Sequence, residues 1–321
     1  MRIRGFLSAT LALPMALPAA ALTVLVILRI GDRYGHRVAY ALFGLWAVAA
    51  VALLLLNSST AARLFLRPPG DEDPAKLARI WPEVLAAAGL TPTRRNSLWV
   101  NEHERGGTEA FVVGGVVAVD REAARTLSTR ALRGVLAHEL GHYLARTGDR
   151  LRLLASALSF PVRMTAALAV SCIGWLERLY LLPDAGCYAI EVRMFRKAGL
   201  CALLTGVVAH ILGVSLACTL ITLAALEPIL RHALHRHGET VADRVAADLG
   251  YGPDLLVYLR FRAEDPPGSP WPPIHTGGLT GRFLRLCELA TATHPQPEMR
   301  TAAVEARIRL RESRSDRGPQ S

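Results

Sequence analysis

The sequence lacks paired cysteines. Its five cysteines form no CxxC motif, and most lie in or beside apolar stretches: Cys172, Cys187, Cys201, Cys218 and Cys287. Isolated cysteines in apolar surroundings behave as small buried hydrophobic residues. We therefore predict reduced thiols, and the single cysteine of the polar segments, Cys287, agrees with a reducing compartment.

The polar segments also lack a basic face. The chain carries 37 Lys+Arg against 27 Asp+Glu, a net charge of +10, and such an excess usually suggests nucleic acid as a partner. Seven of these ten excess charges lie in or beside apolar stretches, whereas the polar segments 57–150 and 227–321 are close to neutral. We therefore expect no nucleic-acid partner.

What the chain has instead is long apolar runs. Apolar residues make up 51% of its 321 residues and the mean hydropathy is +0.28. These values exclude disorder for most of the chain and argue against an ordinary soluble protein. Four long apolar runs stand out: 5–28, 38–56, 153–176 and 198–226. About 20 apolar residues cross the core of a bilayer as a helix, so we predict that the first, second and fourth runs span a membrane.

The third run is a weaker candidate, because Pro161 and Arg163 lie near its middle. A charge at the centre of a bilayer is costly. The run is a tilted span, a helix whose arginine faces protein, or a helix on the membrane surface, and the sequence leaves these alternatives open.

The first run has a second interpretation. Arg2 and Arg4 precede it and three alanines lie at 19–21, as in a secretory signal. Cleaved or not, the chain would return to the cytoplasm after Leu56. The positive-inside rule does not decide the orientation, because the 29–37 loop is as basic as the N-terminus; we favour an N-terminus inside the cell.

The polar segments are predicted to hold helices and short strands, from their periodicity and their glycine and proline positions. The predicted helices cover 75–88, 128 onward, 228–249, 283–291 and 298–312; the strands cover 97–100 and 111–119; residues 271–280 form a loop. A turn or bulge is expected at Gly114-Gly115. The sequence has no repeat with a period of 20–50 residues.

The sharpest motif is His138-Glu139-Leu140-Gly141-His142, an HExxH sequence in a helical context. Side chains four apart in a helix project from one face about 5–6 Å apart, so both imidazoles can reach one tetrahedral Zn²⁺ at about 2.0–2.1 Å. Glu139 lies one position round the helix, where it can act as general base for a water molecule and later protonate the leaving amine. Alone, so short a motif also arises by chance on surface helices.

A catalytic zinc site needs a third protein ligand and an open position. The best candidate is Glu239, with Asp243 four residues later on the same predicted helix. Glu239 would complete a His₂Glu set, while Asp243 would orient a ligand imidazole or hold a nearby arginine. Acidic pairs on helices usually face solvent. Here, however, HExxH shortly precedes one membrane run and this helix directly follows another, which favours a shared site.

The other histidines have simpler explanations. His232, His235 and His237 precede Glu239, and we expect a solvated face beside the membrane, although His235 shares a helix face with Glu239. His210 lies within the fourth run. It is predicted to be a neutral imidazole that faces a neighbouring helix.

HELGH, a membrane pair and ETVAD together resemble the M48 metallopeptidases, and within them the HtpX-like heat-shock membrane proteases. Two further stretches carry the resemblance. EAFVVGG at 109–115, running into 116–120, resembles the strand before the HExxH helix, and Thr293-His294-Pro295 with Arg300 resembles a C-terminal element of the family. The resemblance covers roughly residues 60–310.

The resemblance implies a membrane-bound zinc metalloendopeptidase of the gluzincin type. It would hydrolyse peptide bonds of membrane or misfolded proteins with a metal-activated water, in a multi-pass cell-membrane protein whose active site faces the cytoplasm. His138, His142 and Glu239 map to the ligands of one Zn²⁺ per chain, and Glu139 maps to the catalytic general base.

The resemblance also assigns roles outside the metal ligands. His294 maps to a residue that stabilises the oxyanion, Arg300 to a support of the site, and Asp243 keeps its role beside the ligands. Four residues map to an edge strand that binds substrate: Glu109, Ala110, Phe111 and Val112. Many family members carry Asn where Glu109 stands; a carboxylate there could change substrate preference or pair with a nearby arginine, and the difference does not touch the metal site.

The predicted fold is mainly α with a small β-sheet, in a multi-span membrane protein. A membrane helical pair (151–226) interrupts the peptidase domain (58–150 and 227–312), after an N-terminal transmembrane hairpin (1–57) and before a flexible tail (313–321). The predicted partners are protein or peptide substrates and the lipid bilayer. Two alternatives are an M56-like membrane sensor protease and a non-catalytic membrane scaffold. The strand before HExxH favours M48 over the first, and the complete ligand set argues against the second.

Overall fold

The computed structural model describes residues 2–56, 66–93, 96–102, 110–113, 116–145, 149–180, 199, 202–264 and 297–315. These residues are mainly helical with one small sheet, as predicted. The predicted loop 271–280 and helix 283–291 lie outside the described residues. The helices are α1 (Arg2–Tyr34), α2 (His36–Leu56), α3 (Lys76–Ala87), α4 (Arg121–Thr126), α5 (Thr129–Leu144), α6 (Asp149–Tyr180), α7 (Ala202–Leu212), α8 (Val214–Asp248), α9 (Gly252–Glu264) and α10 (Pro297–Ser315); the strands are β1 (Leu98–Asn101), β2 (Ala110–Val113) and β3 (Val116–Asp120).

The chain forms two compact units. One comprises Met1–Ser8, Leu55–Asp149 and Arg231–Ser321, and the other comprises Ala9–Leu54 and Arg150–Leu230. The first unit contains the sheet and α5. The second contains most of the apolar runs.

The sheet has the strand order β1-β3-β2. β3 is buried along its whole length; it pairs parallel with β1 and antiparallel with β2. A continuous apolar sequence such as that of β3 is typical of a strand covered on both faces. The predicted strand 111–119 is therefore two strands, because the chain reverses direction between Val113 and Val116.

α5 is the central helix of the first unit. It begins where predicted, because the Ala131 N–H donates a hydrogen bond of 3.1 Å to Ser128 Oγ, which caps the helix. Residues 134–141 are all buried, since α5 packs against α3, α9 and the sheet. Its leucines join the main apolar core. The HExxH motif therefore projects from a helix held on several sides.

Arg67 anchors the segment that precedes α3. Its backbone forms two hydrogen bonds with Val100 of β1, at 3.1 and 2.8 Å. Its guanidinium donates to both oxygens of Asp73, at 2.5 and 2.9 Å, and to Glu102 at 2.6 Å. These hydrogen bonds hold the pKa of the buried Asp73 carboxyl below its usual value, against the effect of burial.

Among the described residues, three helices are long and apolar enough to cross a membrane: Ala12–Tyr34 of α1, His36–Leu55 of α2, and α8. They correspond to the first, second and fourth predicted spans. On α2, Leu45 is 66% exposed and Val48 is 67% exposed, and an apolar surface of this kind suits lipid rather than water.

The fourth run is divided between two helices, α7 and α8. Gly213 adopts a φ of +86°, a conformation that glycine reaches without steric cost. It separates α7 from α8. At the C-terminal end, α10 continues to Ser315, into the predicted tail.

The third apolar run lies in α6 and is joined to other helices of the second unit. Pro161 has no N–H, so it leaves the Ala157 carbonyl without its helical donor. Trp46 of α2 donates its indole N–H to that carbonyl at 3.0 Å. Buried Ser159 lies 3.3 Å from Oε1 of buried Glu227 on α8. Polar contacts therefore join α6 to α2 and to α8.

Candidate metal centre

α5 presents the two histidines of the HExxH motif to one point. The rings of His138 and His142 meet edge to face, with centroids 4.7 Å apart, and their Nε2 atoms lie 3.1 Å apart. His138 and Glu139 are buried, and His142 is half-buried. The four-residue spacing therefore produces the converging nitrogens that the sequence predicts.

Glu239, from α8, completes a triangle of donor atoms. Its Oε1 lies 3.0 Å from His142 Nε2, and its Oε2 lies 3.5 Å from His138 Nε2. A tetrahedral zinc at about 2.0–2.1 Å from each ligand holds its ligand atoms about 3.3 Å apart. The three distances fit this geometry, and two imidazoles with one carboxylate form a donor set that suits zinc.

Glu139 lies beside this triangle. Ligand atoms of His138, Glu139 and His142 all lie within 4.8 Å of one another. Glu239 is nevertheless the better third ligand, because its two oxygens stand at zinc-like distances from both histidine nitrogens. The Glu139 carboxylate is then available to a water molecule.

Asp243 and Arg300 hold the ligands from behind. Asp243 Oδ1 lies 2.7 Å from His138 Nδ1; because a carboxylate only accepts, Nδ1 carries the proton and Nε2 is left for a metal. Arg300 donates two hydrogen bonds to Asp243, at 2.9 and 2.7 Å. It also lies 3.6 Å from Glu239, so one guanidinium contacts two acidic residues of α8, Asp243 and Glu239.

The electrostatics of the site make His138 a strong base. Burial lowers the pKa of His138, but its hydrogen bonds to Asp243 and Glu239 outweigh burial and raise it to about 10. A ligand imidazole must be neutral, so metal binding releases a proton. Burial raises the pKa of Glu139, which moves this carboxyl towards the range in which a general base works best.

The elements that build this centre lie within one continuous stretch of sequence similarity. Residues 72–308 match the model of peptidase family M48. The chain belongs to this family. The M48 resemblance is thereby confirmed. The described part of this M48 member includes three helices long and apolar enough to cross a membrane.

A structural comparison finds a distant relative. The crystal structure of S. mikatae Ste24p is 18% identical in sequence, with a TM-score of 0.47, and the match covers 92% of this chain and 63% of that chain. The M48 chain thus spans less than two thirds of the length of Ste24p. No curated protein matches the sequence.

The predicted substrate-binding residues lie partly on β2. Ala110, Phe111 and Val112 are half-buried and belong to this strand, whereas Glu109 lies outside the described residues. α5 packs against β2. Among the described residues, β2 has one partner strand, β3, so it is an edge strand of this sheet.

The structure brings most of the predicted M48 site residues together. His294 lies outside the described residues, so its predicted role stays a prediction. His235 lies nearer to the ligands than a purely solvated face suggests: its side chain is 46% exposed, and its Nε2 lies 3.8 Å from Glu239 Oε1. The i, i+4 spacing of these two residues is the sequence signal for that approach.

Proposed function

We propose that this M48 member is a membrane-bound zinc endopeptidase, with His138, His142 and Glu239 as the ligands of one zinc ion. The observation that carries the proposal is the triangle of donor atoms with edges of 3.1, 3.0 and 3.5 Å. When bound, zinc acts as a Lewis acid that polarises the scissile carbonyl and acidifies water.

Glu139 moves the proton in the proposed reaction. Its carboxylate accepts a proton from the water that attacks the peptide carbonyl, and later gives that proton to the leaving nitrogen as the C–N bond breaks. The proton count balances, because the water supplies a hydroxyl to the new acid and a proton to the new amine. The raised pKa of Glu139 suits both steps.

Asp243 and Arg300 position the ligands. Asp243 fixes the tautomer and the orientation of His138. Arg300 neutralises part of the negative charge of Asp243 and Glu239 and restrains both side chains through one group. From the M48 resemblance we further propose that His294 stabilises the oxyanion.

The proposed substrates are membrane or misfolded proteins, bound in extended form. A peptide can add its backbone to the edge of β2 as a further strand, beside Ala110, Phe111 and Val112, with Glu109 next to them in sequence. We also propose that the two parts of the peptidase domain, 58–150 and 227–312, work on the cytoplasmic side of the membrane.

The test combines metal analysis with a casein-type cleavage assay on the full chain in detergent. We expect about one zinc per wild-type chain. Glu139→Gln should retain zinc and lose activity by roughly 10²–10⁴-fold, because general acid–base catalysis contributes that much. The matched control Glu122→Gln, at an exposed position of α4, should keep both zinc and activity. Full activity of Glu139→Gln would refute the mechanism, and zinc well below one equivalent in wild type would favour the scaffold alternative.

A further inference from the structure

Two glycines of α5, Gly134 and Gly141, lie on nearly the same face, two helical turns or about 10.5 Å apart. A Cβ at Gly134 would lie 2.5 Å from the backbone nitrogen of Leu255 on α9. A Cβ at Gly141 would lie 2.8 Å from both Cα and the carbonyl oxygen of Ala242 on α8. Ordinary contacts between non-bonded carbon atoms are about 3.5–4.0 Å. Both glycines therefore permit a backbone approach that a methyl group would prevent.

Only the contact at Gly141 lies among the proposed ligands. Gly141 directly precedes His142 and follows His138 by three residues. Ala242 follows Glu239 by three residues, on the same side of α8. The backbones of α5 and α8 therefore touch at a point that lies within one helical turn of each of the three proposed ligands. The contact at Gly134 joins α5 to α9, which supplies none of these ligands.

We propose that Gly141 is a positioning residue, which sets the separation of α5 and α8 and thereby the geometry of the zinc site. The inference rests on the proposed function, since it takes Glu239 as a ligand. A methyl group at 2.8 Å must retreat by about 0.7 Å or more to reach ordinary contact. Metal–ligand distances tolerate only about 0.2 Å. The displacement exceeds this tolerance several-fold, so Glu239 either leaves the metal or holds it in a distorted geometry.

The experiment compares wild type, Gly141→Ala and the matched control Gly134→Ala as full chains in detergent. Three quantities are measured: the zinc dissociation constant by chelator competition, the thermal unfolding temperature, and the absorption spectrum with Co²⁺ in place of zinc. We expect both variants to unfold at lower temperature than wild type. Only Gly141→Ala should lose zinc affinity, by about 10- to 100-fold, the range seen when groups that orient metal ligands are removed. Only Gly141→Ala should change the Co²⁺ spectrum, which reports coordination geometry.

The outcomes separate the inference from the proposed function. A wild-type chain that binds no zinc refutes the proposed function, whatever the variants do. If wild type binds zinc, a Gly141→Ala chain with unchanged affinity and an unchanged Co²⁺ spectrum overturns the inference. Failure of Gly141→Ala to fold at every zinc concentration also overturns it, because the contact would then maintain the fold rather than the ligand spacing. Weaker zinc binding by a folded Gly141→Ala chain, together with a changed Co²⁺ spectrum, supports it.

Discussion

At the scale of single residues, the candidate metal centre depends on side chains that lie far from the HExxH motif in sequence. Arg300 is 57 residues from Asp243. It nevertheless donates hydrogen bonds to the Asp243 carboxylate, which in turn orients the His138 ring. The spacing within each helix predicts His138, His142, Glu239 and Asp243, because residues four apart share a helix face. No spacing links Arg300 to them, so the sequence suggests it only through the M48 resemblance.

Asp73 provides a residue-scale prediction about pH. Its folded pKa is lowered, so its contribution to stability is fully present above its unfolded pKa of about 3.9. The contribution is lost as the pH falls through the folded value. We expect Asp73→Asn to lower the free energy of unfolding by about 1–3 kcal/mol at pH 6–7, and by progressively less below pH 4.

Unfolding of wild type and Asp73→Asn across this pH range measures the effect. The control is Asp71→Asn, an exposed neighbour in the same segment, which should change little at any pH. A difference between wild type and Asp73→Asn that persists undiminished at pH 3 contradicts the assignment.

At the scale of elements, a hydrogen bond from Trp46 of α2 joins α6 at a carbonyl that lacks its helical donor. Pro161 removes the donor that the Ala157 carbonyl would otherwise have, and Trp46 supplies another. Unsatisfied carbonyls are expensive in an apolar environment. This contact gives the weakest of the four apolar runs a specific place against α2.

A double-mutant cycle tests this contact. Trp46→Phe should cost about 1 kcal/mol of stability in detergent, in the range of hydrogen bonds between membrane helices. In a Pro161→Ala background the helix regains its own N–H donor, so the same Trp46→Phe change should cost close to nothing. Equal costs in the two backgrounds would show that Trp46 acts through packing alone.

The elements divide into those that local sequence determines and those that it does not. The apolar periodicity from residue 128 onward and the short apolar runs at 97–100 and 111–119 predict α5 and the strands to within a few residues. The helix break at Gly213 cannot be predicted from the sequence, because a glycine within an apolar run is often tolerated in a helix. The parallel pairing of β1 with β3 cannot be predicted from the sequence either, since tertiary packing decides which strands become neighbours.

At the scale of the whole molecule, the proposed site constrains the topology. His142 and Glu239 meet, so the chain must cross the bilayer an even number of times between them. If α8 crosses, one more crossing must precede it. With the N-terminus inside, we expect reporters fused after Leu56 and after Ser313 to be cytoplasmic, and one fused near Asp184 to be on the opposite side. A reporter near Asp184 on the same side as the other two would show that the third run does not cross.

The meeting of His142 with Glu239 also sets an order of events during synthesis. The HExxH helix leaves the ribosome before the helix that carries Glu239, and the apolar runs between them are synthesised in the interval. Arg300 follows later still. A nascent chain that ends before Glu239 therefore has two of the three proposed ligands and no complete centre. On the proposed function, the interrupted layout therefore delays assembly of the zinc site until the membrane runs between its ligands have been synthesised.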